Sequence, residues 1–230
     1  MKALVLAAGF GTRLRPLTDT CPKPGLDFAC IPNLWRTLAR LESAGVKDVA
    51  VNGHHQWRQV QELVERYPGR LRLRFFAEES KILGTGGAVK RLGSWLAGEP
   101  LLIVNGDVVF DFDLSALTQR VPMNDTDEPD LVTLVIRPKP FVNESHIWVN
   151  QGRVLAIGRT HPHGTPHGFT GIHVVQPKVF ESLPDDDVFG IMSVYSQLLE
   201  AGHPLGTITC DGMWWDIGTP TNFFKAHMDF

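Results

Sequence analysis

Cysteine is scarce in this chain, which has only three cysteines in 230 residues, at Cys21, Cys30 and Cys210. No two of them form a CxxC pair. An odd and widely spaced set excludes a disulfide framework and a zinc site built on paired cysteines. Low cysteine content is typical of proteins in a reducing compartment, so the sequence predicts a cytoplasmic protein.

Long hydrophobic runs are also missing. No apolar stretch reaches the roughly 18 residues that a membrane-spanning helix needs. The first apolar run, 3–8, follows a single lysine and leads directly into a glycine-containing segment without a clear signal-peptide cleavage site. We therefore interpret this run as a buried first strand and predict no membrane partner.

A large excess of charge of either sign is absent as well. The chain has 22 Lys and Arg against 25 Asp and Glu, with a formal net charge of −3. This balance excludes a broad basic surface for nucleic acid but leaves room for a local basic pocket. With 43% hydrophobic residues, the chain is expected to fold as one domain over 1–230, as a monomer or a small homo-oligomer.

Strand-like and helix-like segments alternate in the first half of the chain. The strand-like segments are 2–8, 49–51, 71–76 and 101–104, and the helix-like segments are 34–41, 55–66 and 84–96. This alternation predicts an α/β fold with a Rossmann-like, open, mixed and mainly parallel sheet flanked by helices. Short strands dominate the second half and predict mixed or antiparallel additions to the sheet, while 122–130 is a predicted exposed loop.

A glycine loop follows the first strand, in the segment 6–14 (LAAGFGTRL). Ligands of open α/β sheets bind at the carboxyl ends of the strands. Glycines let backbone N–H groups approach phosphate oxygens, and Arg13 adds a permanent positive charge. The segment therefore predicts a phosphate-binding loop, with a simple strand-exit turn as the alternative.

Two common nucleotide-binding patterns do not fit this loop. A dinucleotide fingerprint requires a third glycine where Leu14 stands, and an acidic residue near 51–53, where the sequence is Val-Asn-Gly. The P-loop sequence of phosphate-binding ATPases and kinases is absent. Dehydrogenase and P-loop kinase activities are therefore disfavoured.

Three further short motifs contain charged residues. Lys23 lies between two prolines, which hold the backbone extended around it. The lysine could contact a phosphate or lie exposed in a rigid surface loop. Asp107 follows a buried strand and an Asn-Gly pair, where a carboxylate could hold Mg²⁺ or simply close a turn. Asp216 precedes an Ile-Gly-Thr-Pro sequence and could supply a second carboxylate or act as a structural acid.

Taken in order along the chain, these motifs resemble those of the sugar-1-phosphate nucleotidylyltransferase family. The matching segments are LAAGFGTRLRPLT at 6–18, PKP at 22–24, NGD at 105–107 and DIGTP at 216–220. The resemblance implies the nucleotide-diphospho-sugar transferase fold. It also implies an enzyme that transfers a nucleotidyl group from a nucleoside triphosphate to a sugar 1-phosphate, with Mg²⁺ as cofactor and pyrophosphate as the second product. Because DIGTP lies close to Phe230, we expect a short, single-domain member without an appended domain.

The resemblance also implies individual roles. Arg13 would stabilise the triphosphate, Lys23 would contact phosphate near the reacting centre, and Asp107 and Asp216 would bind Mg²⁺. The residues implied to bind the nucleotide are Leu6, Ala8, Gly9, Gly11, Thr12, Glu79, Gly84, Thr85 and Gly86. The residues implied to lie at the sugar phosphate are Asn105, Gly106, Asn143, Arg159, Thr170, Gly171 and Trp215.

Glu79 is the residue expected to contact the nucleotide base. A carboxylate only accepts hydrogen bonds. Uracil, thymine and guanine each offer an imino N–H, whereas cytosine and adenine do not. We therefore expect UTP, dTTP or GTP as the donor.

Two stretches depart from the family pattern. The Gly-Lys-Pro-Leu that is usual before the first long helix is replaced by Cys-Ile-Pro-Asn-Leu at 30–34. The lysine that relatives place at the sugar phosphate is missing, and Arg159 is its possible substitute. A non-sugar phosphate such as phosphocholine as acceptor, or a catalytically silent sensor of nucleotide or sugar phosphate, therefore remain alternatives. His161, His163 and His167 form either a transition-metal site or, as we expect, a polar loop.

Overall fold

The computed structural model describes residues 1–118, 130–138, 140 and 145–229. Asn143 and nearly all of the predicted loop 122–130 lie outside the described residues. Within the described ranges the strands are β1 (Lys2–Leu6), β2 (Asp27–Phe28), β3 (Ile31–Pro32), β4 (Asp48–Gly53), β5 (Arg72–Ala77), β6 (Leu101–Asn105), β7 (Val108–Phe110), β8 (Val132–Arg137), β9 (His146–Asn150), β10 (Arg153–Ile157), β11 (Thr165–Val175), β12 (Gly206–Thr209) and β13 (Trp214–Asp216). The α-helices there are α1 (Asn33–Ser43), α2 (Trp57–Glu65), α3 (Gly84–Arg91), α4 (Gly93–Leu96), α5 (Ser115–Thr118), α6 (Ile191–Glu200) and α7 (Pro220–Asp229).

The chain divides into two compact units, each made of separate stretches of sequence. Unit 1 consists of Met1–Ile82, Ile103–Thr118 and Gly212–Phe230. Unit 2 consists of Leu83–Leu102 and Gln119–Asp211.

Unit 1 is built on strands in the order β5-β4-β1-β6. The pairs β5–β4 and β4–β1 are parallel, with Leu4 opposite Ala50 and Val49 opposite Leu73. The interior residues of β1 and β4 are fully buried, which explains their continuous apolar sequence. At its carboxyl end β1 leads into the glycine loop, and β4 ends with the buried polar residue Asn52 followed by Gly53.

The helices of unit 1 bury one apolar side each. Leu34, Leu38 and Leu41 of α1 are fully buried, at the helical spacing seen in the sequence. At the other end of the chain, α7 packs against β13, and its Ala226 belongs to a buried cluster with Ile217. None of the helices in the described part of the chain is long and apolar enough to cross a membrane.

Unit 2 carries strands in the order β11-β8-β12-β10-β9, and β11 also pairs with β9. The first half of the long strand β11 pairs with β9 and its second half with β8, so these strands form a closed circuit. Within the described residues, the pairings of this circuit are antiparallel except β12–β8, which is parallel. The predicted mixed sheet with flanking helices is thereby confirmed. The predicted helix 84–96 is present as two helices, α3 and α4, interrupted at Leu92.

Candidate active site

The loop after β1 is anchored at both ends by hydrogen bonds. At its start, Ala7 N donates to Asn52 Oδ1 over 2.7 Å, and at its end Thr18 Oγ1 donates to Gly11 O over 2.7 Å. Gly11 has a φ of 65°, a left-handed conformation that glycine adopts without strain. Among the predicted nucleotide-binding residues here, Ala8 is buried, Leu6 and Gly11 are half-buried, and Gly9 and Thr12 are exposed. The backbone between the anchors is thus fixed in place and accessible at Gly9.

Lys23 and Asp107 form an ion pair in unit 1. Lys23 Nζ donates a hydrogen bond to Asp107 Oδ2 across 84 positions of sequence. The side chain of Lys23 is 10% exposed and that of Asp107 31%. A tight turn holds the lysine, with Gly25 N donating to Pro22 O over 2.7 Å. This placement excludes the alternative of an exposed lysine in a surface loop.

Arg13, Lys23 and Asp216 meet around Gly218. A Cβ added to Gly218 would lie 2.6 Å from Asp216 Oδ1, 2.8 Å from Arg13 Nη2 and 3.0 Å from Lys23 Nζ. Gly218 N donates a hydrogen bond to the same Asp216 oxygen over 2.6 Å. Any side chain at this position would displace the charged groups, so glycine is what allows two cations and a carboxylate to approach each other here.

Asp216 lies next to Asp107 because β13 pairs with β7. The antiparallel register places Asp216 opposite Val108, and Ile217 N donates to Asp107 O over 2.9 Å. Carboxylates are hard oxygen ligands of the kind that Mg²⁺ prefers, usually together with phosphate oxygens and water. Across the described residues, no group of three or more His, Cys, Asp or Glu could hold a metal ion by itself. The pair of carboxylates therefore fits a Mg²⁺ ion that takes its remaining ligands from a phosphate substrate and water.

The sequence motifs did not reveal Asn33, the first residue of α1. Its side-chain amide donates to Gly106 O over 3.0 Å and to Val108 O over 3.3 Å. Gly106, predicted at the sugar phosphate, joins the end of β6 to β1 by donating from its N–H to Leu6 O over 2.8 Å. Its neighbour Asn105 is half-buried. The one signal for Asn33 in the sequence is a polar residue at the start of an otherwise apolar helix face.

A second buried asparagine, Asn52, connects the glycine loop to the segment after β5. Besides accepting from Ala7 N, it donates from Nδ2 to Glu78 Oε1 over 2.8 Å. Asn52 is 4% exposed and Glu78 3%. The next residue, Glu79, is exposed. Glu79, the residue predicted to read the base, is thus exposed to solvent. It directly follows Glu78, whose side chain is buried and hydrogen-bonded to Asn52.

The glycine-rich start of α3, in unit 2, packs against the segment before α6. Gly86 N donates to Phe189 O over 2.9 Å, and Phe189 N donates to Leu83 O over 3.2 Å. Ile191 N donates to Thr85 Oγ1 over 2.9 Å. A Cβ added to Gly86 would overlap the Phe189 ring. Gly84, Thr85 and Gly86, predicted to bind nucleotide, therefore also have a packing role that the sequence did not indicate.

Thr170 and Gly171, predicted at the sugar phosphate, lie in a bulge of β11. The register between β11 and β8 shifts between Phe169 and His173. Thr170 is fully buried, and its Oγ1 donates to Val135 O over 2.7 Å. The hydroxyl of Thr170 is thus engaged by the main chain of the neighbouring strand.

Arg159 and Trp215 were also predicted at the sugar phosphate, and each has contacts within its own unit. Arg159 of unit 2 forms an ion pair with Glu200 of α6 at 3.2 Å, and its side chain is 68% exposed. Trp215 of unit 1 packs against the buried cluster that contains Ile217. Asn143 lies outside the described residues.

His161 and His163 lie in the turn before β11, whereas His167 lies within β11 opposite Ile147 of β9, so the predicted polar loop includes only the first two histidines. His163 N donates to His161 Nδ1 over 3.3 Å, and His167 Nδ1 lies 3.0 Å from Thr165 O. These histidines are not among any three-residue metal-binding group within the described ranges. His161 and His163 thus hydrogen-bond to each other within the turn, and the His167 ring contacts the main chain of its own strand.

Comparison with known proteins identifies the family to which this chain belongs. The sequence profile of the family described as Nucleotidyl transferase matches residues 2–143. That stretch includes Arg13, Lys23 and Asp107. This chain belongs to the nucleotidyl transferase family. The predicted family membership is confirmed, and the chain is accordingly a nucleotidyltransferase.

Curated members of the family align with this nucleotidyltransferase along nearly its whole length. It is 29% identical to the N-acetylmuramate alpha-1-phosphate uridylyltransferase of Neisseria meningitidis serogroup B, over 98% of this chain and 96% of that protein. It is 28% identical to the mannose-1-phosphate guanyltransferase of Yarrowia lipolytica, again over 98% of this chain. The chain spans only 63% of the length of that second protein.

Solved structures share the fold of this nucleotidyltransferase. HddC from Yersinia pseudotuberculosis, also solved as a complex with GMP-PN, superposes with a TM-score of 0.80 at 22% identity, over 100% of this chain and 99% of that chain. The inositol-1-phosphate CTP transferase of T. maritima gives a TM-score of 0.81 at 18% identity, over 99% and 94% of the two chains. At this level of identity the likeness establishes the fold, as the resemblance implied.

Proposed function

We propose that this protein transfers a nucleotidyl group from UTP, GTP or dTTP to a sugar 1-phosphate, forming a nucleotide sugar and releasing pyrophosphate. The observation that carries this proposal is the meeting of Arg13, Lys23 and Asp216 around Gly218, with Asp107 paired to Lys23. Two basic side chains and two carboxylates in one small space suit a reaction between two phosphate groups. The names of the curated relatives, a uridylyltransferase and a guanyltransferase, support the same reaction class.

The two cations have distinct roles in this proposal. The Arg13 guanidinium offers several donors in a fixed plane, which suits the triphosphate and the departing pyrophosphate. The Lys23 ammonium is a compact charge held in position by Asp107, and it contacts a phosphate close to the reacting phosphorus. Catalysis of this kind depends on alignment and charge neutralisation rather than on a covalent enzyme intermediate.

Asp107 and Asp216 are the residues that would hold Mg²⁺. When bound, the ion supplies positive charge to the phosphate oxygens that face it. No general base is required from the chain, because the attacking oxygen of a phosphate monoester is already ionised at neutral pH. The protein's own contribution is to hold the two carboxylates and the two cations at the carboxyl ends of β1, β6 and β13.

Glu79 supports a donor with an imino N–H. Its carboxylate is exposed, and the preceding Glu78 is fixed by Asn52. We expect turnover with UTP, GTP or dTTP in a panel of the common nucleoside triphosphates. Turnover restricted to CTP or ATP would contradict this role of Glu79.

The Glu79→Gln variant tests the residue itself. It should raise the KM for the preferred donor, while Glu65→Gln, on the exposed side of α2, should not.

One observation favours a second acceptor class. Arg159, the candidate replacement for the missing sugar-phosphate lysine, is already paired with Glu200. A non-sugar phosphate acceptor is therefore our second candidate. A matrix of donors against sugar 1-phosphates and non-sugar phosphates, measured by pyrophosphate release with Mg²⁺, separates the two. A protein that released no pyrophosphate with any pair would fit the silent sensor instead.

We further propose that both units serve one catalytic domain over 1–230. The family profile runs across residues of both units, and each of the two curated relatives aligns with 98% of the chain. The expected cytoplasmic location and the expected monomer or small homo-oligomer stay predictions.

A further inference from the structure

Asn33 is a buried polar residue with an unusual set of contacts. It is 1% exposed and begins α1 in unit 1. Its Nδ2 group donates one hydrogen bond to Gly106 O over 3.0 Å and another to Val108 O over 3.3 Å. These two carbonyls belong to the residues directly before and after Asp107. One side chain therefore holds the backbone on both sides of a candidate metal ligand.

The orientation of this amide is set by donation alone. Asn33 Oδ1 is buried and has no hydrogen-bond partner within the part of the chain that the structure describes. A primary amide has two N–H donors, and both are used by the turn. Leaving a buried oxygen without a partner costs free energy, so the two donated bonds are the interactions that retain an asparagine here.

The other bonds around Asp107 come from different elements. Gly106 N donates to Leu6 O of β1 over 2.8 Å, and Ile217 N donates to Asp107 O over 2.9 Å. The peptide groups around Asp107 are thus tied to β1, to the residue after β13 and, through Asn33, to α1. Since these bonds fix the main chain at Asp107 from three directions, they set the direction of its Cα–Cβ bond, from which the carboxylate extends.

Asn33 also connects to the lysine that pairs with Asp107. Asn33 N donates to Leu26 O over 3.0 Å, and Leu26 N donates to Lys23 O over 3.2 Å. The main chain of Asn33 is therefore linked to the Lys23 turn, and its side chain to the Asp107 turn. A single residue thereby sets the relative placement of the two partners of the ion pair.

We propose that Asn33 is a positioning residue for Asp107, holding its carboxylate in the orientation that binds the divalent cation. This inference rests on the proposed function for the identity of the metal site. Residues that orient metal ligands through hydrogen bonds typically change metal affinity or activity by about 10- to 100-fold when they are replaced. Asn33 has the geometry of such a residue, although no metal ligand itself comes from α1.

Two variants test the proposal. Asn33→Leu keeps a side chain of similar size and removes both donors, and Asn33→Asp keeps the shape and replaces the donors by an oxygen that repels the two carbonyls. Thr37→Val is the matched control, because Thr37 is 2% exposed on the same helix, one turn further on. It removes a buried hydroxyl beside Val108 and leaves both hydrogen bonds from the Asn33 side chain in place.

The measurement is Mn²⁺ affinity of each protein, obtained by electron paramagnetic resonance of the unbound ion. It is made with Mn²⁺ alone and with Mn²⁺ plus the α,β-methylene analogue of UTP. We expect both Asn33 variants to lose about 10- to 100-fold in Mn²⁺ affinity while keeping the wild-type circular dichroism spectrum. Thr37→Val should stay within about twofold of the wild type.

Three results would overturn the proposal. They are unchanged Mn²⁺ affinity in folded Asn33 variants, an equal loss in Thr37→Val, and failure of both Asn33 variants to fold while Thr37→Val folds. The last result would show that the amide serves the fold as a whole. Because the affinity is measured without turnover, wild-type protein that bound Mn²⁺ but transferred no nucleotide would refute the proposed function and leave the role of Asn33 to be decided by the variants.

Discussion

At the scale of single residues, burial and charge explain why Lys23 and Asp107 depend on each other. Moving an ammonium group out of water is costly unless a partner of opposite charge replaces the lost hydration. Asp107 is that partner for a lysine side chain that is 10% exposed. The same carboxylate is proposed to bind metal, so one substitution at this position affects both the pairing and the chemistry.

The Asp107→Asn variant tests this residue directly. We expect kcat to fall about a hundredfold or more, because asparagine keeps the shape of the turn and removes the charge. Circular dichroism should show a retained fold. Asp113→Asn is the control, since Asp113 is an exposed acid that caps α5 through Ser115 and asparagine can keep that cap. Near-normal turnover in Asp107→Asn would refute the proposed metal site.

Gly218→Ala tests whether the charged groups need the space around Gly218. A Cβ at this position would lie 2.6 Å from Asp216 Oδ1 and 2.8 Å from Arg13 Nη2, both closer than real Cβ contacts. We expect at least about a tenfold loss of kcat, because small displacements of aligned groups are costly in this kind of catalysis. Gly93→Ala is the control, with no neighbouring atom within 4 Å of the added Cβ. Equal kcat values for the two variants would show that the groups around Gly218 do not need this spacing.

At the scale of secondary-structure elements, the sequence revealed what is encoded locally. The buried strands, the leucine spacing of α1 and the glycine loop are short patterns, and the structure contains each of them. Contacts between distant segments were not predictable in the same way. The Asn33 side chain donates to Gly106 O across 73 positions of sequence. No local pattern around Asn33 indicates that Gly106 is its hydrogen-bond partner. The glycines of α3 are an instructive case, because glycine permits both ligand approach and close packing, and only the structure shows Phe189 against Gly86.

Strand β11 and helix α6 bury a titratable pair that plays no part in the proposed reaction. The rings of His173 and Tyr195 meet at a centroid distance of 5.6 Å, and both side chains are almost completely buried. Burial lowers the pKa of His173 from its ordinary 6.5 to about 3 and raises the pKa of Tyr195 well above its usual value. The folded protein therefore keeps His173 neutral where the unfolded chain would protonate it.

This pair predicts a specific acid sensitivity. The contribution of neutral His173 to stability is complete above the unfolded pKa of 6.5 and is lost as the pH falls towards the folded value of about 3. Between about pH 7 and pH 4 the loss from this group is about 3 kcal/mol. Urea unfolding at several pH values should show a weaker pH dependence for His173→Leu than for the wild type. His163→Leu, at an exposed histidine, should keep the wild-type dependence, and equal slopes for His173→Leu and the wild type would contradict the prediction.

At the scale of the whole molecule, the predicted functional residues are divided between two units. Arg13, Lys23, Asp107 and Asp216 belong to unit 1, whereas Thr85, Arg159 and Thr170 belong to unit 2. The β-α alternation predicted the parallel strands of unit 1 because α1 lies between β1 and β4, and α2 lies between β4 and β5. The closed circuit of unit 2 could not be foreseen from the sequence, since β11 divides its pairing between two strands within one uninterrupted segment.

The proposed reaction joins a nucleotidyl group to a sugar 1-phosphate. Phosphorus-31 NMR of the protein with Mg²⁺, a sugar 1-phosphate and UTP, GTP or dTTP measures the new bond directly. We predict, for at least one such pair, the signals of a nucleotide-sugar diphosphate and of pyrophosphate in equal amounts, and their formation at a rate about a hundredfold or more lower with Asp107→Asn. The persistence of unreacted triphosphate and sugar phosphate with every pair, under conditions where the protein is folded, would contradict the account.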